Sequence, residues 1–128
     1  YMPEYPSYTH RTEQALREHF GDQFWITEKS FAHPSGYAGK CDLHSTEGIV
    51  VDFKTKESLK NTQVYLEHEL QLSAYCNGLN MPYARAAICF VSESETKIVE
   101  VDQESLQKAY EMFQCLLMFF KLKNDLPV

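Results

Sequence analysis

The stretch from Gly36 to Lys56, G-Y-A-G-K-C-D-L-H-S-T-E-G-I-V-V-D-F-K-T-K, constrains the fold more than any other part of the chain. Apolar and β-branched residues stop at Ser45-Thr46-Glu47-Gly48 and resume at Ile49-Val50-Val51, the pattern of two strands joined by a short turn. A three-residue loop Thr46-Glu47-Gly48, closed by Gly48 in the left-handed region, makes Ser45 and Ile49 the first facing pair. Counting outward, Asp42 then faces Asp52. Directly opposed residues of an antiparallel pair hold their Cβ atoms roughly 4.5–5.5 Å apart, where like charges destabilise, so two facing carboxylates ask for a cation. Because side chains alternate along a strand, Asp52 and Lys54 share one face, while Ile49, Val51 and Phe53 point to the other. One face collects two acids and a lysine, and the opposite face is apolar.

The rest of the chain must supply cover for that apolar face. With 128 residues, of which 44% are hydrophobic, residues 1–128 read as a single domain with one sizeable core. No apolar run approaches the ~18 residues of a membrane span, and a signal peptide is not evident, so the reading is a cytosolic protein; the start at Tyr1 leaves room for a preceding segment. Cys41, Cys76, Cys89 and Cys115 lie far apart with no C-x-x-C pair, which predicts buried free thiols. A net charge of −6 argues against a broadly basic nucleic-acid footprint. It is compatible with acids that hold metal ions beside a local basic cluster, here Lys54, Lys56 and Lys60.

Taken in order, Tyr1 to Ser7 reads as an extended lead-in and Thr9 to Phe20 as a helix ended by Gly21, with Ala15, Leu16, His19 and Phe20 as its partly apolar stripe. Glu13, near its start, reads as a solvated acid on periodicity alone. Phe24 to Phe31 has strand composition, and His33-Pro34-Ser35-Gly36 turns the chain into the hairpin. Glu57 to Gln63 is a polar loop able to close over a ligand. Tyr65 to Asn77 is helical and stops at Gly78, with Gln71 and Tyr75 on one face. Ala84 to Val91 is a buried strand, Lys97 to Val101 an edge strand, and Asp102 caps a last helix from Gln103 to about Lys123, expected to pack across the sheet. The order αβββαββα indicates an α/β (mixed α+β) three-layer architecture with a central mixed sheet of about five strands flanked by helices. A crossover through the Tyr65 helix makes the fourth strand parallel to the third.

Two acids with a lysine two residues on suit Mg²⁺, which is held by one or two carboxylates plus phosphate oxygens and water. Such a lysine orients water and offsets charge on a phosphoryl group, pointing to phosphodiester hydrolysis. A surface hairpin with an Asp-Lys salt bridge is the alternative that spacing leaves open.

Gly39-Lys40-Cys41-Asp42, Val50-Val51-Asp52-Phe53-Lys54-Thr55 and Gln71-Leu72-Ser73-Ala74-Tyr75 together resemble the PD-(D/E)XK nuclease superfamily, in the branch of RecB-type nuclease domains and phage exonucleases. That branch is similar in carrying G-x-x-D, D-x-K-T and Q-x-x-x-Y in this order. The resemblance implies a restriction-endonuclease-like fold, Asp42 and Asp52 as ligands of Mg²⁺ or Mn²⁺, the Phe53 carbonyl as a further ligand and Lys54 as the catalytic lysine. It also implies that Gln71 and Tyr75 help place DNA, with Lys56 beside them. The family takes a Glu or His from its first helix, which makes Glu13 a catalytic and metal-binding candidate, with His10 and Glu28 as alternatives. Some relatives carry an iron–sulfur cluster on clustered cysteines; this spacing predicts none. His44 shares the acidic face and is expected to be a solvated strand-end histidine.

The leading reading is a divalent-metal-dependent deoxyribonuclease, an exonuclease acting on DNA ends in recombination, repair or phage replication. It would work in the cytoplasm, the host's if phage-encoded. The rivals are a non-catalytic nucleic-acid or protein-binding module on the same fold and a structure-specific endonuclease. So small an acidic domain is expected to grip DNA with help from a missing flank, a homo-oligomer, or a recombination or replication partner. The resemblance to the RecB-type branch implies attack near ends, and the sequence shows no helix-turn-helix or zinc finger that would support site-specific cutting.

Overall fold

The computed structural model describes residues 6–128, with side chains from His10 onward. The described elements follow the predicted order: α1 (Pro6–Phe20), β1 (Trp25–His33), β2 (Tyr37–Ser45), β3 (Ile49–Thr55), α2 (Leu66–Gly78), β4 (Arg85–Val91), β5 (Thr96–Val101) and α3 (Gln103–Lys123). Of the expected lead-in, Tyr1 to Tyr5 lie outside the described residues, and Pro6 and Ser7 already belong to α1.

The strands form one sheet in the order β1-β2-β3-β4-β5. Neighbours are antiparallel except β3 and β4, which run parallel as the α2 crossover requires. The strand β4 is central, and from Ala86 to Val91 it is fully buried. Its alternate residues feed two cores, which is why it reads as a continuous apolar run. Ala86, Ile88 and Phe90 join Val50, Leu72, Cys76 and Leu106 on the side covered by α2 and α3. Ala87, Cys89 and Val91 join Leu16, Phe20, Ile49 and Val51 on the side covered by α1. The result is a three-layer α/β/α arrangement.

Local signals fix the ends of these elements. Gly21 and Gly48 have φ of +77° and +93°, so the first ends α1 and the second closes the hairpin with its amide on the Ser45 carbonyl. Asp102 caps α3 through its side chain, which accepts the Ser105 amide at 2.7 Å.

The helix α3 packs along α2 and, as expected, crosses the same face of the sheet: Leu106 joins Ala86 and Val101 in the core, Tyr110 and Phe113 meet Tyr37 of β2, and Lys121 donates to the Ser35 carbonyl at the β1–β2 turn. Of the helix only Leu106 and Ala109 are buried. Its later turns carry apolar residues on the outer face as well, and Phe120 is 54% exposed. One expectation needs correction: among the cysteines, Cys41, Cys76 and Cys89 are buried thiols, but Cys115 lies on that outer face and is exposed. Among the described residues no helix is long and apolar enough to cross a membrane.

Candidate active site

The hairpin register is as the turn dictates: Ser45 faces Ile49, His44 faces Val50 and Leu43 faces Val51. The β2–β3 ladder stops there. Oδ2 of Asp42 accepts the Phe53 amide at 2.9 Å, so a side chain occupies a donor that the backbone of β2 would otherwise take. The strands part at this point, and Asp42 adjoins Asp52 through its carboxylate instead of as a backbone rung. Strand β2 turns about the same residue: Cys41 packs into the α2 side and Leu43 into the α1 side, although two residues of one strand normally share a face. Across from Asp42 on β1, between the pairs Thr27–Leu43 and Lys29–Cys41, Glu28 has a φ of +52°. A non-glycine residue in that region carries roughly 1–2 kcal/mol of strain, so the distortion of both strands is concentrated beside the acids.

Asp52 is buried, with 3% exposure. Loss of water, followed by the adjoining Asp42 carboxylate, pushes its pKa up to about 6 against the opposing pull of Lys54. The Lys54 ammonium stands 3.0 Å from Asp52 Oδ2, yet among the described residues that oxygen accepts no hydrogen bond of proper geometry. Ionic attraction is therefore present and directional satisfaction is missing. A buried anionic oxygen in this condition, with a second carboxylate alongside, is a donor set suited to a hard divalent cation.

Helix α2 completes the array. Lys54 donates to Gln71 Oε1 at 3.3 Å, and Gln71 Nε2 donates to the Tyr75 hydroxyl at 2.8 Å. Because an ammonium can only donate, the amide must face it with oxygen, which leaves its nitrogen for the tyrosine. The phenol proton is not used in that bond and can be offered outward. Burial, then Asp52 and Asp42, pushes the Tyr75 pKa up to about 12, keeping the hydroxyl protonated. Phe31 of β1 holds Tyr75 edge-on, with ring centres 5.9 Å apart. Room for Phe31 exists because positions 39 and 78 are glycine: a Cβ would come 2.8 Å from the ring at Gly39 and 2.1 Å at Gly78.

Other sequence candidates are placed elsewhere. Glu13 is exposed on α1, across the sheet from this array, in the wall of a cavity it shares with Leu16, Arg17 and Trp25, and His10 is exposed on the same helix. Glu28 is level with Asp42, but its carboxylate points to Lys40 at 3.7 Å. No group of three or more histidine, cysteine, aspartate or glutamate side chains converges among the described residues. The Lys56 ammonium donates to the Asn61 carbonyl and lies 5.4 Å over the Phe90 ring, so the polar loop is anchored through it. His44 corrects the expectation of a solvated residue: it is 7% exposed, its Nδ1 has no partner among the described residues, and burial with Lys29 nearby lowers its pKa. Sequence reasoning missed His68. Its position three residues before Gln71, on the same helical stripe, was the available signal.

No family model matches the chain, and no curated protein does. Among solved structures, one of a candidate exonuclease from Eubacterium rectale is similar in fold, with a TM-score of 0.66 and 15% identity over 95% of this chain and 53% of that one. A second, designated only by a locus tag, aligns at 19% identity over 81% of this chain and 54% of that one, with a TM-score of 0.46 that bears no argument. The chain spans about half the length of these structures.

Proposed function

We propose that this domain is a divalent-metal-dependent deoxyribonuclease of the PD-(D/E)XK superfamily, in its RecB-type branch, and that it works from DNA ends. The observation that carries the reading is the meeting of Asp42 and Asp52 beside Lys54, with one buried Asp52 oxygen left without a hydrogen bond. Asp42, Asp52 and the Phe53 carbonyl would hold Mg²⁺ or Mn²⁺, which when bound lowers the pKa of water and offsets phosphoryl charge.

The protein's own groups do the rest. The Lys54 ammonium, held between Gln71 and Asp52, is fixed where charge builds on the phosphoryl oxygens. Gln71 keeps the ammonium from turning away, and Tyr75 fixes the Gln71 amide while keeping a proton to donate toward substrate. The fold shared with the Eubacterium rectale protein supports this reading at the level of architecture.

The test is incubation of the chain with end-labelled linear DNA and covalently closed circles, with Mg²⁺, Mn²⁺ or EDTA. Progressive shortening of linear DNA, survival of circles and arrest by EDTA are expected. Conversion of circles into a discrete linear band would reassign the domain to an endonuclease branch. Inertness toward both substrates with either metal would overturn the reading.

A further inference from the structure

We infer that His68 is a DNA-binding residue of this site, donating from Nε2 to a non-bridging oxygen of a backbone phosphate beside Lys54. The inference rests on the nuclease reading and extends it to a residue outside the three sequence motifs.

Positions 68, 71 and 75 are spaced i, i+3 and i+7, so His68, Gln71 and Tyr75 line one stripe of α2. Gln71 already touches Lys54, and His68 is the next step along that stripe toward the polar loop. Its tautomer follows from a backbone contact. Nδ1 accepts the Tyr65 amide at 3.1 Å, so in the neutral ring the proton is on Nε2. The Tyr65 ring, 5.7 Å away centre to centre, holds the imidazole from the side. Among the described residues no acceptor is bonded to Nε2.

The charges around it favour an anion. Partial burial, then Lys54, favours the neutral form of the imidazole; Glu67 opposes them, and Lys56 adds the smallest effect in favour. A neutral N–H donor whose orientation is preset thus lies one helical step from Gln71, which holds the Lys54 ammonium, and such a set fits a phosphodiester oxygen better than a cation. A neutral donor has a distinctive consequence. Because it displaces no counterion, its loss lowers affinity without changing how affinity responds to salt.

The test uses the full chain and a fluorescein-labelled oligonucleotide duplex, followed by anisotropy in Ca²⁺ and by cleavage in Mg²⁺. Asparagine at 68 keeps an acceptor near the Tyr65 amide but loses the distal N–H, whereas glutamine retains a distal N–H. His68→Asn is expected to weaken binding and raise KM about tenfold, with kcat within about threefold and the thermal midpoint unchanged. His68→Gln should recover most of the binding. The slope of log affinity against log salt should stay at the wild-type value for His68→Asn and drop by about one for Lys56→Ala. Wild-type binding by His68→Asn, or a slope lowered by about one in that variant, overturns the inference while leaving the nuclease reading intact. A wild-type chain that binds the duplex without cutting it would overturn the nuclease reading, with His68 still decided by anisotropy. A wild-type chain that does not bind the duplex would overturn both.

Discussion

Replacing Asp52 by asparagine should stabilise the metal-free protein while destroying its activity. Asp52 is 3% exposed, and its pKa is raised to about 6 in the fold from an ordinary value of 3.8. Between those values the folded state holds a proton that the unfolded state has released, so stability falls as pH rises through that window, and the whole penalty is present above about pH 6. A gap of about two pH units, at 1.36 kcal/mol each, puts that penalty near 3 kcal/mol at most. Asparagine has the same shape and no charge to desolvate. Its gain is reduced because Lys54, only 34% exposed at its side chain, loses an ionic neighbour. A net stabilisation of about 1–2 kcal/mol at pH 8 in EDTA is expected, or roughly 3–6 °C in Tm for a chain of this size. At pH 4 the difference should vanish. Thermal unfolding of both proteins from pH 4 to 8 measures it, and added Mg²⁺ should raise the wild-type Tm but not the variant's. An Asp52→Asn protein less stable than wild type at pH 8 in EDTA would refute the argument, as would a difference independent of pH.

Further outcomes follow from the same geometry. Lys54→Ala should lower kcat by roughly 10²–10³-fold while metal and DNA binding, read by calorimetry and anisotropy, stay close to wild type, because the ammonium acts on the transition state. Gly78→Ala should cost about 1–3 kcal/mol in chemical denaturation, since its Cβ would fall 2.1 Å from the Phe31 ring, and Phe31→Ala should relieve most of that cost in the double variant. Tyr75→Phe should weaken cleavage of linear DNA, measured as kcat/KM, with little change in Tm, because it removes the hydroxyl that Gln71 bonds but keeps the ring against Phe31.

The hairpin was legible because its register is set locally: Gly48 supplies the left-handed turn, and the apolar alternation of Ile49, Val51 and Phe53 permits only one facing. The parallel pairing of β3 and β4 was legible from chain connectivity. The end of the β2–β3 ladder was not, since nothing in composition reveals that the Asp42 side chain will outcompete a backbone carbonyl for the Phe53 amide. Nor was the exposure of the last turns of α3, because apolar residues such as Phe119 and Phe120 continue past the buried Leu106 and Ala109. Within the candidate site, Asp42, Asp52, Lys54, Gln71 and Tyr75 are contiguous as the motif order implied. Glu13 could not be placed from sequence, since the layer a helix occupies depends on tertiary packing. The buried state of His44 likewise depends on packing that strand periodicity does not encode.

The parting of β2 from β3 at Asp42 also defines a short evolutionary route. Asp42 serves the backbone, through the Phe53 amide, and the site, through its approach to Asp52. An asparagine there could keep the first role with its amide oxygen and turn its NH₂ toward Asp52, replacing repulsion with a hydrogen bond. A single codon change would thus give a descendant with the same sheet, a calmer interior and no carboxylate pair. Carboxylate pair and silent scaffold are neighbours in sequence space here, separated by one atom's exchange from oxygen to nitrogen.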